Sequence, residues 1–233
     1  MAANGTTPSP TLSRLGEPIP VLVDAALRLE HMHALDPWVE RLSHSAGALV
    51  KDKKVADLLH GRFMGHALHP LLTDVPIGTW ASAFVLDVVG GKKSRPAATR
   101  LIGTGILAAV PTAVTGVAEF AATSDQAARR VAVVHAAGNG VALVLYVLSF
   151  RARRRDRHGS GVLLSLAGLG LVGGTGFLGA HLSLARKVGT RDPAFADQVP
   201  LAGDALPVPG EPGVAGSTAG RHRDETSGTG QAL

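Results

Sequence analysis

The run Val131 to Phe150, VAVVHAAGNGVALVLYVLSF, contains no acid or base other than His135. A helix rising about 1.5 Å per residue needs roughly this length to cross a hydrocarbon core of about 30 Å. Three other segments read the same way. Leu71 to Gly91 is interrupted only by Asp74 and Asp87, Ala98 to Ala122 only by Arg100 and Glu119, and Gly159 to Ala185 only by His181. The links Lys92 to Ala97, Thr123 to Arg130 and Arg151 to His158 are short, so successive spans lie beside one another in opposite directions. The fold class that follows is all-α: an antiparallel four-helix membrane bundle.

Charge placement agrees. The chain of 233 residues carries 23 Lys and Arg against 18 Asp and Glu, is 45% apolar and has a mean hydropathy of +0.21. Residues 63 to 187 hold 13 basic and 5 acidic residues, so the basic excess sits in the apolar part. Cations in short loops between apolar runs are what membrane insertion requires, and no aromatics accompany them to stack on bases, so the reading is against nucleic acid. Zero Cys removes disulfides, thiolate chemistry, Cys zinc sites and Cys-ligated clusters, leaving 10 His for any redox or metal chemistry. Met1 to Pro20 shows neither a basic n-region nor an apolar h-region, so the expected insertion signals are the internal segments. Loops one and three carry Lys92, Lys93 and Arg95, and Arg151, Arg153, Arg154, Arg155 and Arg157. The positive-inside rule places loops 92–97 and 151–158 in the cytoplasm, both termini outside, and the protein as a multi-pass protein of the inner (plasma) membrane.

Around the spans the chain divides into a disordered N-terminus (1–18), an amphipathic helical region (19–62), the four-span domain (63–187) and a disordered, Gly- and Pro-rich tail (188–233). Within the second part Leu35, Trp38, Val39, Leu42, Ala46, Leu49 and Val50 recur at helical spacing behind Asp36-Pro37, an expected cap and first turn, and predict a helix at the interface. Gly170 with Gly174, and Gly176 with Ala180, are the spacing expected where helix backbones approach closely.

Antiparallel topology lets depth be compared from one face. Asp74 and Glu119 fall about 5 Å in, and His135 and His181 about 6 Å. His66 and His69 stand one turn apart just before the first span on that face. Ionisable groups inside a bilayer are costly and turn to a bundle interior, so His66, His69, Asp74, His135 and His181 are the candidate cofactor-binding residues, with Glu119 at the same depth. Asp87 and Arg100 read as an ion pair near the opposite face, Trp80 as a packing or lipid-facing aromatic, and His31, His33, His44, His60, His158 and His222 as solvated.

The run Leu58 to Trp80, LLHGRFMGHALHPLLTDVPIGTW, with Phe84 to Asp87, His135 to Asn139 and Gly176 to Leu182 after it, resembles the family known as domain of unknown function 2231. The GHxxHP and TDxP elements carry most of the likeness, which extends over roughly residues 55 to 195. The resemblance implies a bacterial four-span membrane domain without an established activity. Relatives often carry a Rieske iron–sulfur domain after the last span, which implies a redox neighbourhood. Here the residues after Phe195 lack Cys, so such a partner would act in trans.

Two functional readings remain open. The polar layer binds haem b or a quinone in a small redox-associated subunit, bis-His haem needing two imidazoles on facing helices at matched depth. Alternatively the protein is a non-catalytic anchor or assembly factor whose polar cluster holds the bundle together. Conduction lacks a second polar layer, and no nucleophile with base and orienter can be assembled.

Overall fold

Among the described α-helices, those that follow Asp52 and Asp125 open on a side-chain cap and the others begin without one. The computed structural model of the chain describes residues 20–195. Three short helices come first, α1 (Val21–Glu30), α2 (Asp36–Leu49) and α3 (Lys53–Leu59). Asp52 caps α3 by accepting from the backbone N–H groups of Lys54 and Val55 at 2.8 and 3.1 Å. Asp36 opens α2 without capping it, because its carboxylate is drawn away to Arg130 at 2.7 and 3.0 Å and to Gln126 at 2.9 Å.

Four long helices follow: α4 (Leu68–Val89), α5 (Gly91–Ala122), α6 (Gln126–Arg154) and α7 (His158–Ala180), the last continued by a π-helical turn over His181–Ala185. Each is long and apolar enough to cross a membrane. The helices take up most of the expected loops. Lys92 to Ala97 belongs to α5, and Gly90 and Gly91 alone make the turn, Gly91 adopting φ +60 where a side chain would be strained. Between α6 and α7 only Arg155 to Arg157 remain.

The helices pair as hairpins, α4 with α5 and α6 with α7, and the hairpins close into an antiparallel bundle. Trp80, Ala83, Ala98, Ile102, Ala142, Tyr146 and Val172 form its core. Val88, Leu107, Val144 and Leu163 face outward, the arrangement a lipid solvent favours. The apolar face of α2 turns onto the bundle: Val39 and Ala46 are buried against Phe120, while Trp38 is exposed. Leu29 of α1 packs with Val131 and Leu182, so α1 to α3 cap the end of the bundle where α5 stops and α6 starts.

The two hairpins are variants of one module. His69 meets His135, Trp80 stacks on Tyr146 and Asp87 pairs with Arg153, and 135 − 69, 146 − 80 and 153 − 87 are all 66. On the second helix of each hairpin the shift is 63. Gly105 lies under the Trp80 ring and Gly168 under Tyr146, and Gly116 lies under His69 and Gly179 under His135. The constant shift of 66 follows from the parallel packing of α4 and α6, and the glycines at corresponding places beneath the rings give the two hairpins an approximate two-fold relation along the bundle. The close-packed glycines beneath these rings are therefore 105, 116, 168 and 179, and Gly103, Gly138 and Gly161 are packed closely as well. Gly170, Gly174 and Gly176 have nothing within 4 Å of a built Cβ, because they lie on the outward side of α7.

Beyond the π-helical turn the chain folds back. Val188 N–H donates to Leu182 O at 2.8 Å and Asp192 N–H to Gly65 O at 2.9 Å, so residues 188 to 192 are held against the bundle. Of the tail expected to be disordered from residue 188, residues 188 to 192 are held in this way, and the expected disorder of residues 1–18 and 196–233 lies outside the described residues.

Candidate functional site

The centre of the cap end is a pair of imidazoles. His69, in the first turn of α4, and His135, in the third turn of α6, stand with ring centroids 6.4 Å apart and planes at 84°. Each ring is oriented by the partner helix of its own hairpin. His69 Nδ1 donates to Thr112 O at 2.9 Å, and His135 Nδ1 donates to Thr175 O at 2.8 Å. A built Cβ at Gly116 would lie 2.8 Å from His69 Cε1, and one at Gly179 3.0 Å from His135 Cε1, so each ring occupies space that only glycine leaves.

Local chemistry explains why these carbonyls and rings meet. Pro76 lacks the N–H that would bond Leu72 O, and the freed carbonyl accepts from Thr112 Oγ1 at 3.1 Å, which ties α5 to α4 at the height of His69. In the second hairpin Thr175 Oγ1 donates to Asn139 Oδ1 at 2.8 Å, and Asn139 Nδ2 donates to His135 Nε2 at 3.1 Å. That closes a ring of three hydrogen bonds through His135, Thr175 and Asn139. At the matching position of the first hairpin Thr73 bonds only its own helix, at Pro70 O, so the two imidazoles differ at Nε2.

The acceptor at Nδ1 fixes the tautomer. A carbonyl can only accept, so Nδ1 of each ring carries the proton and Nε2 presents its lone pair. That is the state a metal-ligating imidazole needs, with the second ring nitrogen bonded to a carbonyl to hold its orientation.

The other expected site residues lie elsewhere. His181 sits in the π-helical turn and donates from Nε2 to Glu30 Oε1 at 2.7 Å. Arg186 Nε bonds the same oxygen at 2.5 Å, its second nitrogen bonds Glu30 Oε2, and Asp125 stands 3.7 Å from the guanidinium. Burial pushes the Glu30 carboxyl up, but the bonds from Arg186 and His181 outweigh it and hold its pKa below the ordinary 4.5. Asp74 and His66 are exposed, and His66 pairs its backbone with Arg191. Glu119 turns to the cap: Oε1 accepts from His60 Nδ1 at 3.1 Å, and Oε2 accepts from Thr190 N and Oγ1 at 2.8 and 3.1 Å.

Three sequence expectations are corrected here. His158, expected to be solvated, is half-buried and stands 3.4 Å from Asp87 Oδ1. His60 is buried rather than solvated, because the fold-back of residues 188 to 192 and the cap enclose it with Glu119. Asp87 pairs with Arg153, not Arg100. Both oxygens take guanidinium N–H bonds at 2.8 and 2.5 Å, with Ser149 and Ser165 completing the shell, while Arg100 points outward. Arg100 is nearer in sequence, but the parallel packing of α4 and α6 puts position 153 opposite position 87. Among the residues the sequence reading passed over, Thr112, Thr175, Asn139, Gly116 and Gly179 matter most. The signal that Thr112, Gly116, Thr175 and Gly179 share is Thr-x-x-x-Gly, which also occurs at 99–103 and 226–230 and so does not single them out.

No curated protein and no solved structure matches the chain. The family described as predicted membrane protein (DUF2231) matches residues 65–192, from just before α4 to the segment that folds back on Gly65. That is more than half of the sequence and the whole of the duplicated bundle, and the chain belongs to this family of predicted membrane proteins.

Proposed function

We propose that the protein is a redox-associated membrane subunit in which His69 and His135 hold a haem b iron between the two hairpins. The observation that carries this is the matched pair of rings, each proton-donating at Nδ1 to a backbone carbonyl and each presenting a lone pair at Nε2. The two ring centroids stand 6.4 Å apart, so one metal ion would lie within reach of both rings. A quinone carbonyl needs a donor, and neither Nε2 supplies one in this tautomer, so the metal reading is favoured over the quinone. His135 Nε2 accepts from Asn139, and that amide must swing aside for ligation. The bound group would supply one-electron chemistry, and the chain's own part is to orient the two rings and exclude water.

The remaining proposals follow from the same reading. The basic ends of the hairpins, at 92–97 and 151–158, face the cytoplasm of an inner membrane, and a Rieske-type or other one-electron protein acts in trans at the cap end. An anchor role is the competing reading, with the imidazoles serving only to bond the helices.

The test is spectroscopic. The full chain, produced with haem supplied and purified in detergent, is expected to show a Soret band and a dithionite-reduced α band. His69→Ala and His135→Ala are each expected to abolish them, whereas Asn139→Ala keeps them. A haem-free protein after reconstitution with haemin would overturn the assignment and leave the anchor reading.

A further inference from the structure

The cap carries a second site that the imidazole pair does not use. Between α3, the end of α2 and the last turn of α5 lies a cleft of about 390 Å³. Its walls include Lys51, Lys53 and Arg62 with one carboxylate, Asp57, and its floor includes His60. Asp57 is already engaged by Lys53 at 2.6 Å and by Arg62 at 2.9 Å. Lys51 has no carboxylate partner among the described residues. The cleft is therefore cationic after its internal pairing is counted.

The floor is built. His60 is 5% exposed, and its Nδ1 is turned inward to Glu119, which Thr190 holds by two hydrogen bonds. The guanidinium of Arg62 and the ammonium groups of Lys51 and Lys53 around that floor are a donor set for an oxyanion.

Position selects the source of that anion. Ala121 and Ala122 line the cleft and are the last residues of α5, so the cleft opens at the level where a span leaves the hydrocarbon for the headgroups. Leu58 and Phe63, adjacent in sequence to Asp57 and Arg62, are 59% and 70% exposed and give acyl chains apolar surface beside the charges. We propose that this cleft binds the phosphate group of an anionic phospholipid, with Lys51 and Arg62 as its contacts.

The experiment uses the purified full chain in a neutral detergent, titrated calorimetrically with short-chain phosphatidylglycerol, short-chain phosphatidylcholine and inorganic phosphate. Phosphatidylglycerol is expected to saturate and to bind about tenfold or more tighter than phosphatidylcholine. The double variant Lys51→Gln/Arg62→Gln, both exposed positions, is expected to lose that preference while keeping the wild-type thermal midpoint. Inorganic phosphate binding as tightly as the lipid, and lost in the same double variant, would keep the anion site and reassign its source to a free phosphate. No saturable binding by either phosphate probe, or binding unchanged in the double variant, overturns the proposal.

Discussion

At the scale of single residues, a Cβ is the sharpest probe of the imidazole pair, because the two glycines beneath the rings have no slack and their neighbours do. Gly116→Ala puts a methyl 2.8 Å from His69 Cε1, so the ring must leave its bond to Thr112 O. Overpacking of this kind costs about 1 to 3 kcal/mol, and the variant is expected to melt earlier than wild type. Gly176→Ala, where nothing stands within 4 Å, should leave the melting temperature unchanged or raise it. Equal midpoints for the two variants would show that the ring does not rest on α5.

Glu30 gives a second residue-level expectation, this time in pH. Its folded pKa is held below 4.5, so the stability it lends is fully present above 4.5 and is lost as the pH falls through the folded value. Glu30→Gln removes that contribution. The difference in thermal midpoint between wild type and Glu30→Gln should be largest near neutral pH and shrink below about pH 4.5. A gap that stays constant down to pH 3 would mean that the Arg186 and His181 contacts do not depress this carboxyl.

At the scale of elements, the apolar runs identify all four long helices but not their ends. The sequence reading stops spans at basic residues, whereas α5 and α6 continue through theirs: Lys92, Lys93 and Arg95 lie in the first turns of α5, and Arg151, Arg153 and Arg154 in the last turns of α6. Charge outside the hydrocarbon is no reason for a helix to stop, and only Gly90-Gly91 and Arg155 to Arg157 break it. The hairpin order still makes a firm expectation. Cysteines placed at Lys92 and Asp156 should react with an impermeant reagent from one side of the membrane, and a cysteine at Ser124 from the other. Labelling of all three from the same side would contradict the four-span topology. Labelling of 92 and 156 from the periplasmic side would preserve the topology and reverse the proposed orientation.

At the scale of the whole molecule, the depth argument from sequence reaches one half of the polar architecture. His69 and His135 are legible because helical rise alone sets their depth. Azimuth is not, since a single sequence does not say which way each helix is rotated, and so Asp74 turns out while His181 turns to the cap. The cap itself is unreadable from pattern. Glu30 and His60 look like surface residues until α1, α3 and the returning segment 188 to 192 close over them. The duplication is hidden for a different reason. Only scattered positions agree, His69 with His135, Thr112 with Thr175 and the glycines beneath the rings, while Trp80 faces Tyr146 and Asp87 faces Arg153, so self-comparison of the sequence has little to find.

The facing of Asp87 and Arg153 makes the two-fold relation testable by exchange. Asp87 and Arg153 are almost wholly buried, and breaking such a pair by removing one partner typically costs about 3 to 5 kcal/mol because a charge is left unpaired. Asp87→Arg and Arg153→Asp, made singly, should each destabilise the bundle by about that amount, since each buries two like charges. If positions 87 and 153 are equivalent under that relation, the double exchange Asp87→Arg/Arg153→Asp restores the pair in mirror order and recovers much of the loss. Recovery should be incomplete for a specific reason. Arg153 also bonds Ser149 and Ser165, whose counterparts under the shifts of 66 and 63 are Ala83 and Ile102, so an arginine at 87 finds no hydroxyls. Adding Ala83→Ser to the exchange supplies one of them without opening a cavity and should raise the midpoint above that of the double variant. A double exchange no more stable than the worse single variant would show that the pairing at 87 and 153 is not set by symmetry.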